Sequence, residues 1–212
     1  MTETDRFDRS SRWIDLECVE RERTPKPIIE KGIWLHLADI SLTNTKKELE
    51  RYGVSRSRTA IHNWVQKVGL DPVSDATPAT ITLDETIIQV NDEPHWLYAA
   101  VDPATNHLLH VRLFPTRTTQ LTIGFLRELA AKHDLDSVTF LVDAARSLTS
   151  ALARLGYRYR VEIHGDRTHV ERVFREVERR TSSFANTFSH ARPETAETWL
   201  PAFAVWWNQC QS

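Results

Sequence analysis

Hydrophobic positions recur along this chain with two different periods, and the change between them divides it. From Ile28 to Ile40 the apolar residues Ile29, Ile33, Leu37 and Ile40 return every three or four positions, the period of a helix. Thr43 to Tyr52 reads as a second helix, with Gly53 placed as its C′ residue. Ser55 offers an N-cap for a third, Arg56 to Val68, closed by Gly69. Residues 70–79 hold Pro72, Ser74, Asp75 and Pro78 with no period, and read as a linker. Beyond them the pattern becomes strand-like. Thr80–Val90, His95–Val101 and His107–Phe114 are β-rich runs separated by Asn91-Asp92-Glu93-Pro94 and Asp102-Pro103-Ala104-Thr105-Asn106, which predicts an antiparallel meander. An amphipathic helix follows over Thr118–Lys132, through Leu121, Phe125 and Leu129. Then come the apolar strand Val138–Val142, a helix over Ala145–Leu155 ending at Gly156, and a strand over Tyr157–Ile163. A helix begins at Thr168, and an aromatic helix spans Pro193–Gln209 with Pro201 inside it.

The order βββαβαβα is the layout of an RNase H-like α/β fold. The expected organisation is therefore a peripheral segment, 1–27, a helix-turn-helix domain, 28–69, a linker, 70–79, and an RNase H-like domain, 80–212. The third helix separates cleanly into faces. Ile61, Trp64, Val65 and Val68 form the buried stripe. Arg56, Thr59, Asn63, Gln66 and Lys67 point the other way and suit a DNA major groove, Arg for guanine, Asn and Gln for adenine, Lys and Thr for phosphates. The same face also suits a solvated surface on an ordinary three-helix bundle.

Composition narrows the classes. With 212 residues the chain suits one or two domains, and no run approaches the roughly 18 apolar residues of a membrane span. The polar start, Met1-Thr2-Glu3-Thr4-Asp5-Arg6, does not read as a secretory signal. Cys18 and Cys210 lie far apart and read as reduced thiols of a cytoplasmic, nucleoid-associated protein. The formal net charge of −2 does not advertise nucleic-acid binding, but basic residues crowd Arg51–Lys67 and Arg172–Arg180, and binding depends on local patches.

Three carboxylates stand in unusual settings. Asp84 lies inside the first β-run, Asp143 directly follows the apolar run 138–142, and Glu171 lies one turn into a helix. Each has a plain alternative: an exposed edge strand for Asp84, a helix N-cap for Asp143, and for Glu171 a capping box with Thr168. Glu178, two turns on, rivals Glu171. The fold order puts the first strand beside the fourth with the late helix facing them, so one shared site accounts for all three placements. Such carboxylates make a hard oxygen site for Mg²⁺ or Mn²⁺. His62, His164 and His169 lack zinc spacing, and Trp199, Trp206 and Trp207 read as core or an oligomer contact.

Leu83-Asp84-Glu85-Thr86, the segment His95-Trp96-Leu97-Tyr98-Ala99-Ala100-Val101-Asp102 and Val170-Glu171-Arg172-Val173-Phe174-Arg175 together resemble a DDE transposase of the insertion-sequence-six type, in its halophilic-archaeal branch. The segments Arg179-Arg180-Thr181-Ser182-Ser183-Phe184 and Ala204-Val205-Trp206-Trp207-Asn208 carry the likeness to the C-terminus. The resemblance implies a catalytic triad of Asp84, Asp143 and Glu171 holding two Mg²⁺ or Mn²⁺ ions. It implies cleavage and joining at terminal inverted repeats of double-stranded DNA, a target DNA, cointegrate formation and a homo-oligomer. Arg172, Arg175, Arg179 and Arg180 are expected at phosphates. The longer spacing usual in the family at large reaches Glu178; the branch is shorter there, which favours Glu171. The chain departs from the family's pattern at Ala144, Asp166, Thr168 and Glu178. Two other readings remain: an RNase H-like nuclease that cuts without joining, and a catalytically impaired relic that only binds DNA.

Overall fold

In the computed structural model the described residues are 14, 16, 23–72, 77–162, 168–181, 188 and 191–211. They form two compact units that divide between Leu70 and Asp71. The first holds three helices, α1 (Lys26–Leu37), α2 (Leu42–Glu50) and α3 (Arg58–Val68). The first helix starts earlier than its apolar period suggests, because Pro25 and Pro27 fall in the first turn, where the missing N–H costs nothing. It also stops earlier. Asp39 takes a left-handed conformation, φ 72°, and Ile40 N–H donates to Leu35 O at 3.0 Å, which turns the chain away and leaves Ile40 exposed. Gly53 closes α2 as expected: φ is 73°, and the N–H groups of Gly53 and Val54 donate to the carbonyls of Glu50 and Leu49. Ser57, not Ser55, caps α3, its Oγ accepting from Ala60 N–H at 3.0 Å. Ile29, Ile33, Leu37, Leu49, Ile61, Trp64 and Val65 make the core of this unit. Gly32 lets the Trp64 ring lie against α1: a Cβ there would stand 2.9 Å from Trp64 Cζ3.

The second unit is built on five strands: β1 (Thr80–Val90), β2 (Glu93–Val101), β3 (Leu108–Phe114), β4 (Thr139–Val142) and β5 (Arg158–Val161). Their order in the sheet is β3-β2-β1-β4-β5, with β1–β2 and β2–β3 antiparallel and β1–β4 and β4–β5 parallel. This is the mixed α/β sheet of the RNase H-like layout. The first hairpin turns on two residues rather than four. Asn91 and Asp92 have φ 53° and 60°, the positive pair of a type I′ turn, and Val90 pairs directly with Glu93. The remaining helices are α4 (Thr119–Ala130), α5 (Arg146–Leu155), α6 (Thr168–Thr181) and α7 (Pro193–Gln211). On one side of the sheet Leu83, Tyr98 and Phe140 pack with Phe125, Leu126 and Leu148 of α4 and α5.

The aromatic helix α7 packs on β3 and finishes it. The Asn208 amide accepts from Leu108 N–H at 2.7 Å and donates to Leu108 O at 3.1 Å, standing in for a neighbouring strand. Trp207 Nε1–H donates to Asn106 O at 2.8 Å. Trp199 stacks on Phe203, and the Arg180 guanidinium lies 4.1 Å from the Trp206 ring centroid. These tryptophans are core, as one of their two expected readings held. No helix among the described residues is long and apolar enough to cross a membrane.

Candidate active site at the carboxyl end of the sheet

Strand β1 runs through the centre of the sheet, and Asp84 lies in its middle, 5% exposed. Strand pleating puts it on the face of Thr82, away from Leu83 and the α4–α5 core. The exposed edge-strand alternative for Asp84 is thus overturned. Its Oδ1 accepts from Glu85 N–H at 2.9 Å.

Parallel pairing brings the second aspartate alongside. Thr80, Ile81 and Thr82 pair with Thr139, Phe140 and Leu141. Two residues further in the same register are Asp84 and Asp143, on strands that lie about 4.8 Å apart. Asp143 stands just past the end of β4, half-buried. It is not the N-cap of α5; that residue is Ala145, which has no side-chain cap. Asp143 Oδ1 instead accepts from Ala145 N–H at 2.7 Å in a local turn.

Glu171 lies in the first turn of α6, exposed. The helix packs on β1 and β2, burying Val170, Val173 and Val177. His169 Nδ1 contacts Asn106 Oδ1, which ties the first turn to the β2–β3 connection. Thr168 is the first described residue of the helix, three positions before Glu171. Glu178 is exposed on the same helix. Among the described residues no three His, Cys, Asp or Glu side chains come close enough together to hold a metal ion, so Glu171 does not join the two aspartates into such a cluster. Asp166 and His164 lie outside the described residues.

Glu85, which the sequence offered only as part of a motif, proves central to the local electrostatics. Its side chain is 2% exposed, and its carboxyl is pushed up to about 7. Burial is the main cause; the charges of Asp84 and Asp143 add to it, and Arg117 pulls the other way. Glu85 follows Asp84 along the strand and so faces the other side of the sheet; the charges of the two aspartates reach it without the three making one cluster. Asp84 and Asp143 themselves are hard oxygen donors of the kind a divalent cation takes.

Residues 79–196 match the model of a family described as a DDE domain. The chain belongs to the DDE family of insertion-sequence transposases. An uncharacterized protein of Methanocaldococcus jannaschii is 29% identical over 133 residues, 62% of this chain and 62% of its own length. The chain thus spans under two thirds of the relative it matches. Among solved structures, the catalytic core of BIV integrase is 15% identical with a TM-score of 0.43, covering 59% of this chain and 80% of that one. The HTLV-2 integrase catalytic core in complex with magnesium is 12% identical with a TM-score of 0.43, covering 59% and 86%.

The basic residues expected at DNA separate into two groups. In the DDE domain, Arg172 and Arg175 of α6 are exposed and form no ion pair among the described residues. Arg179 is exposed but bonded to Glu176 at 2.9 Å through both Nε and Nη2. Arg180 is withdrawn from DNA altogether: it is 4% exposed, bonded to Glu176 and stacked on Trp206. In the helical unit, Thr59, Asn63 and Lys67 lie exposed along α3, and Gln66 is half-buried with its Nε2 enclosed. Arg56 precedes the helix, and its guanidinium is taken up by Thr24 Oγ1 at 2.6 Å and Ser55 O at 2.7 Å. Arg58, the first residue of α3, is exposed where Arg56 was expected.

Proposed function

We propose that this chain cuts and joins DNA at the terminal inverted repeats of an insertion sequence, as a transposase of the insertion-sequence-six type in its halophilic-archaeal branch. The observation that carries the reading is the pair Asp84 and Asp143, level with each other in the register of neighbouring parallel strands where open α/β sheets gather ligands. These two side chains are the proposed anchors for two divalent ions, with Glu171 as the third ligand. Bound Mg²⁺ or Mn²⁺ supplies charge stabilisation at the attacking and leaving oxygens of an in-line phosphodiester displacement. Asp84 and Asp143 fix where the phosphate sits, with water attacking in the cut and the freed 3′-hydroxyl in the join. The α2–α3 pair acts as a helix-turn-helix, and Thr59, Asn63, Gln66 and Lys67 face the terminal repeat. Arg172, Arg175 and Arg179 hold phosphates. A homo-oligomer bridging two ends and a target DNA completes the reading.

Asp84→Asn is expected to bind element-end duplexes like the parent and to show no Mg²⁺-dependent cleavage. Undiminished cleavage by that variant removes Asp84 from the site. Glu171→Gln and Glu178→Gln, assayed side by side, decide the third ligand: loss in the first and retention in the second is the expected result. A second reading, a relic that only binds DNA, is favoured by the acidic Glu178 beside the arginines of α6. Binding of end DNA with no cleavage or strand transfer by the parent chain would select it.

A further inference from the structure

A second polar cluster adjoins the candidate site on the opposite face of the sheet. Glu85 follows Asp84, so the pleat turns it toward its cross-strand partner Tyr98 and, two pairs on, Trp96. Its Oε1 accepts from Arg117 Nη1 at 3.2 Å and lies 3.5 Å from Ser147 Oγ. The Arg117 guanidinium carbon lies 4.4 Å from the Trp96 ring centroid, over its face. A buried carboxylate on one side and an indole on the other therefore hold the guanidinium in place. Yet the Arg117 side chain is 43% exposed, and Nη1 is the only one of its nitrogens with a hydrogen bond among the described residues. Neutralising a buried carboxylate is the simpler role for this arginine. That role does not use the stacked orientation or the remaining donors.

The location gives those donors a partner. Strand β3 reaches the sheet through two antiparallel steps from β1, so it runs in the same direction as β1 and β4. The segment after its end, which carries Arg117, is at the same carboxyl edge as Asp143. Ser147 belongs to the first turn of α5, the helix that follows Asp143. Glu85 thus joins the Arg117 segment to the α5 entry, and the charges of both aspartates reach it. A planar, preorganised guanidinium with unused donors is suited to a phosphate.

We propose that Arg117, held by Glu85 and Trp96, contacts a DNA phosphate beside the bond being cut. The inference rests on the DNA-cleaving reading above. Glu85 and Trp96 are positioning residues; Arg117 touches substrate.

The test uses the full chain and a duplex bearing the ends that flank its own reading frame, with end binding followed over a salt series. Arg117→Ala is expected to weaken end binding about tenfold, the loss of one charged contact. It should also reduce the slope of log affinity against log salt by about one. Arg117→Lys keeps the charge without the fork and should keep the parent slope with part of the affinity. Should Arg117→Ala fail to fold, Arg117→Gln, which retains a donor for Glu85, carries the same test. Trp96→Phe keeps a ring under the guanidinium and should bind more tightly than Trp96→Ala, a difference that a purely structural tryptophan would not place in DNA affinity. Unchanged affinity and slope in folded Arg117→Ala, with Asp84→Asn inactive, overturns this inference and leaves the cleavage reading standing. Absence of Mg²⁺-dependent cleavage by the parent chain overturns the cleavage reading and this inference with it.

Discussion

His110 shows how far single side chains depend on their neighbours. Lys132 Nζ stands 3.1 Å from Nδ1, and an ammonium only donates, so Nδ1 must be the acceptor. Nε2 then carries the proton and donates to Glu128 at 2.9 Å. Burial, Lys132, Arg112 and His133 together hold this imidazole at about 3, and burial with the neighbouring His62 holds His36 at about 4. Both lie below the ordinary value of 6.5, so the unfolded chain binds protons that the folded chain refuses. Above 6.5 neither histidine penalises folding. As pH falls from 6.5 toward these values, each costs about 1.4 kcal/mol per pH unit. Chemical denaturation at pH 7.5 and 5 should therefore show acid destabilisation, weakened in His110→Gln; an unchanged pH dependence in that variant would refute the assignment. Gly32 is the other residue whose setting decides its role. Gly32→Ala gains helix propensity, but its methyl would meet the fully buried Trp64 ring. A net loss of about 1–3 kcal/mol is expected from overpacking, read as a lower denaturation midpoint of the helical unit. Trp64→Phe in the same chain should recover part of it.

Among elements, the helices and strands follow their hydrophobic periods, while their ends follow local chemistry that the periods do not report. Strand β1 matched its run over Thr80–Val90 because β-branched residues dominate both ends, Thr80-Ile81-Thr82 and Thr86-Ile87-Ile88. Helix α3 begins two residues late because Ser57, rather than Ser55, is the serine three positions before an N–H it can accept from. That small shift removes Arg56 from the helix and from the face to which its periodicity assigned it. Edge strand β3 depends on another element entirely. Asn208→Ala leaves the Leu108 N–H and C=O without their partner and should cost about 1–3 kcal/mol. Hydrogen exchange would then show faster exchange of the Leu108 amide. Wild-type protection at Leu108 in the variant would show that this α7 contact does not secure the strand.

For the whole molecule, the parallel pairing of β1 with β4 is what turns two distant aspartates into neighbours. Asp84 and Asp143 were both legible in the sequence, one from a carboxylate inside a strand pattern and one from its place at a strand end. The strand order itself was also legible, because three short-linked strands followed by alternating helices leave few ways to cover both faces. The third carboxylate was not placed in the same way. Glu171 and Glu178 lie on one helix, and the choice between them came from resemblance; the folded chain keeps Glu171 exposed and outside a metal-sized cluster. Arg117 carried no local signal, and Arg180 carried only that of a basic run expected at phosphates. Both are arginines near aromatic residues far away in the chain, and their fates are opposite: one is half-exposed over Trp96 and the other buried against Trp206. Periodicity and turn residues are properties of neighbouring positions, so the sequence by itself determined the elements, their order and the strand positions of Asp84 and Asp143. Exposure, ion pairing and the shared electrostatics of Glu85 with the two aspartates arise from contacts between distant segments, and only the tertiary structure decided them.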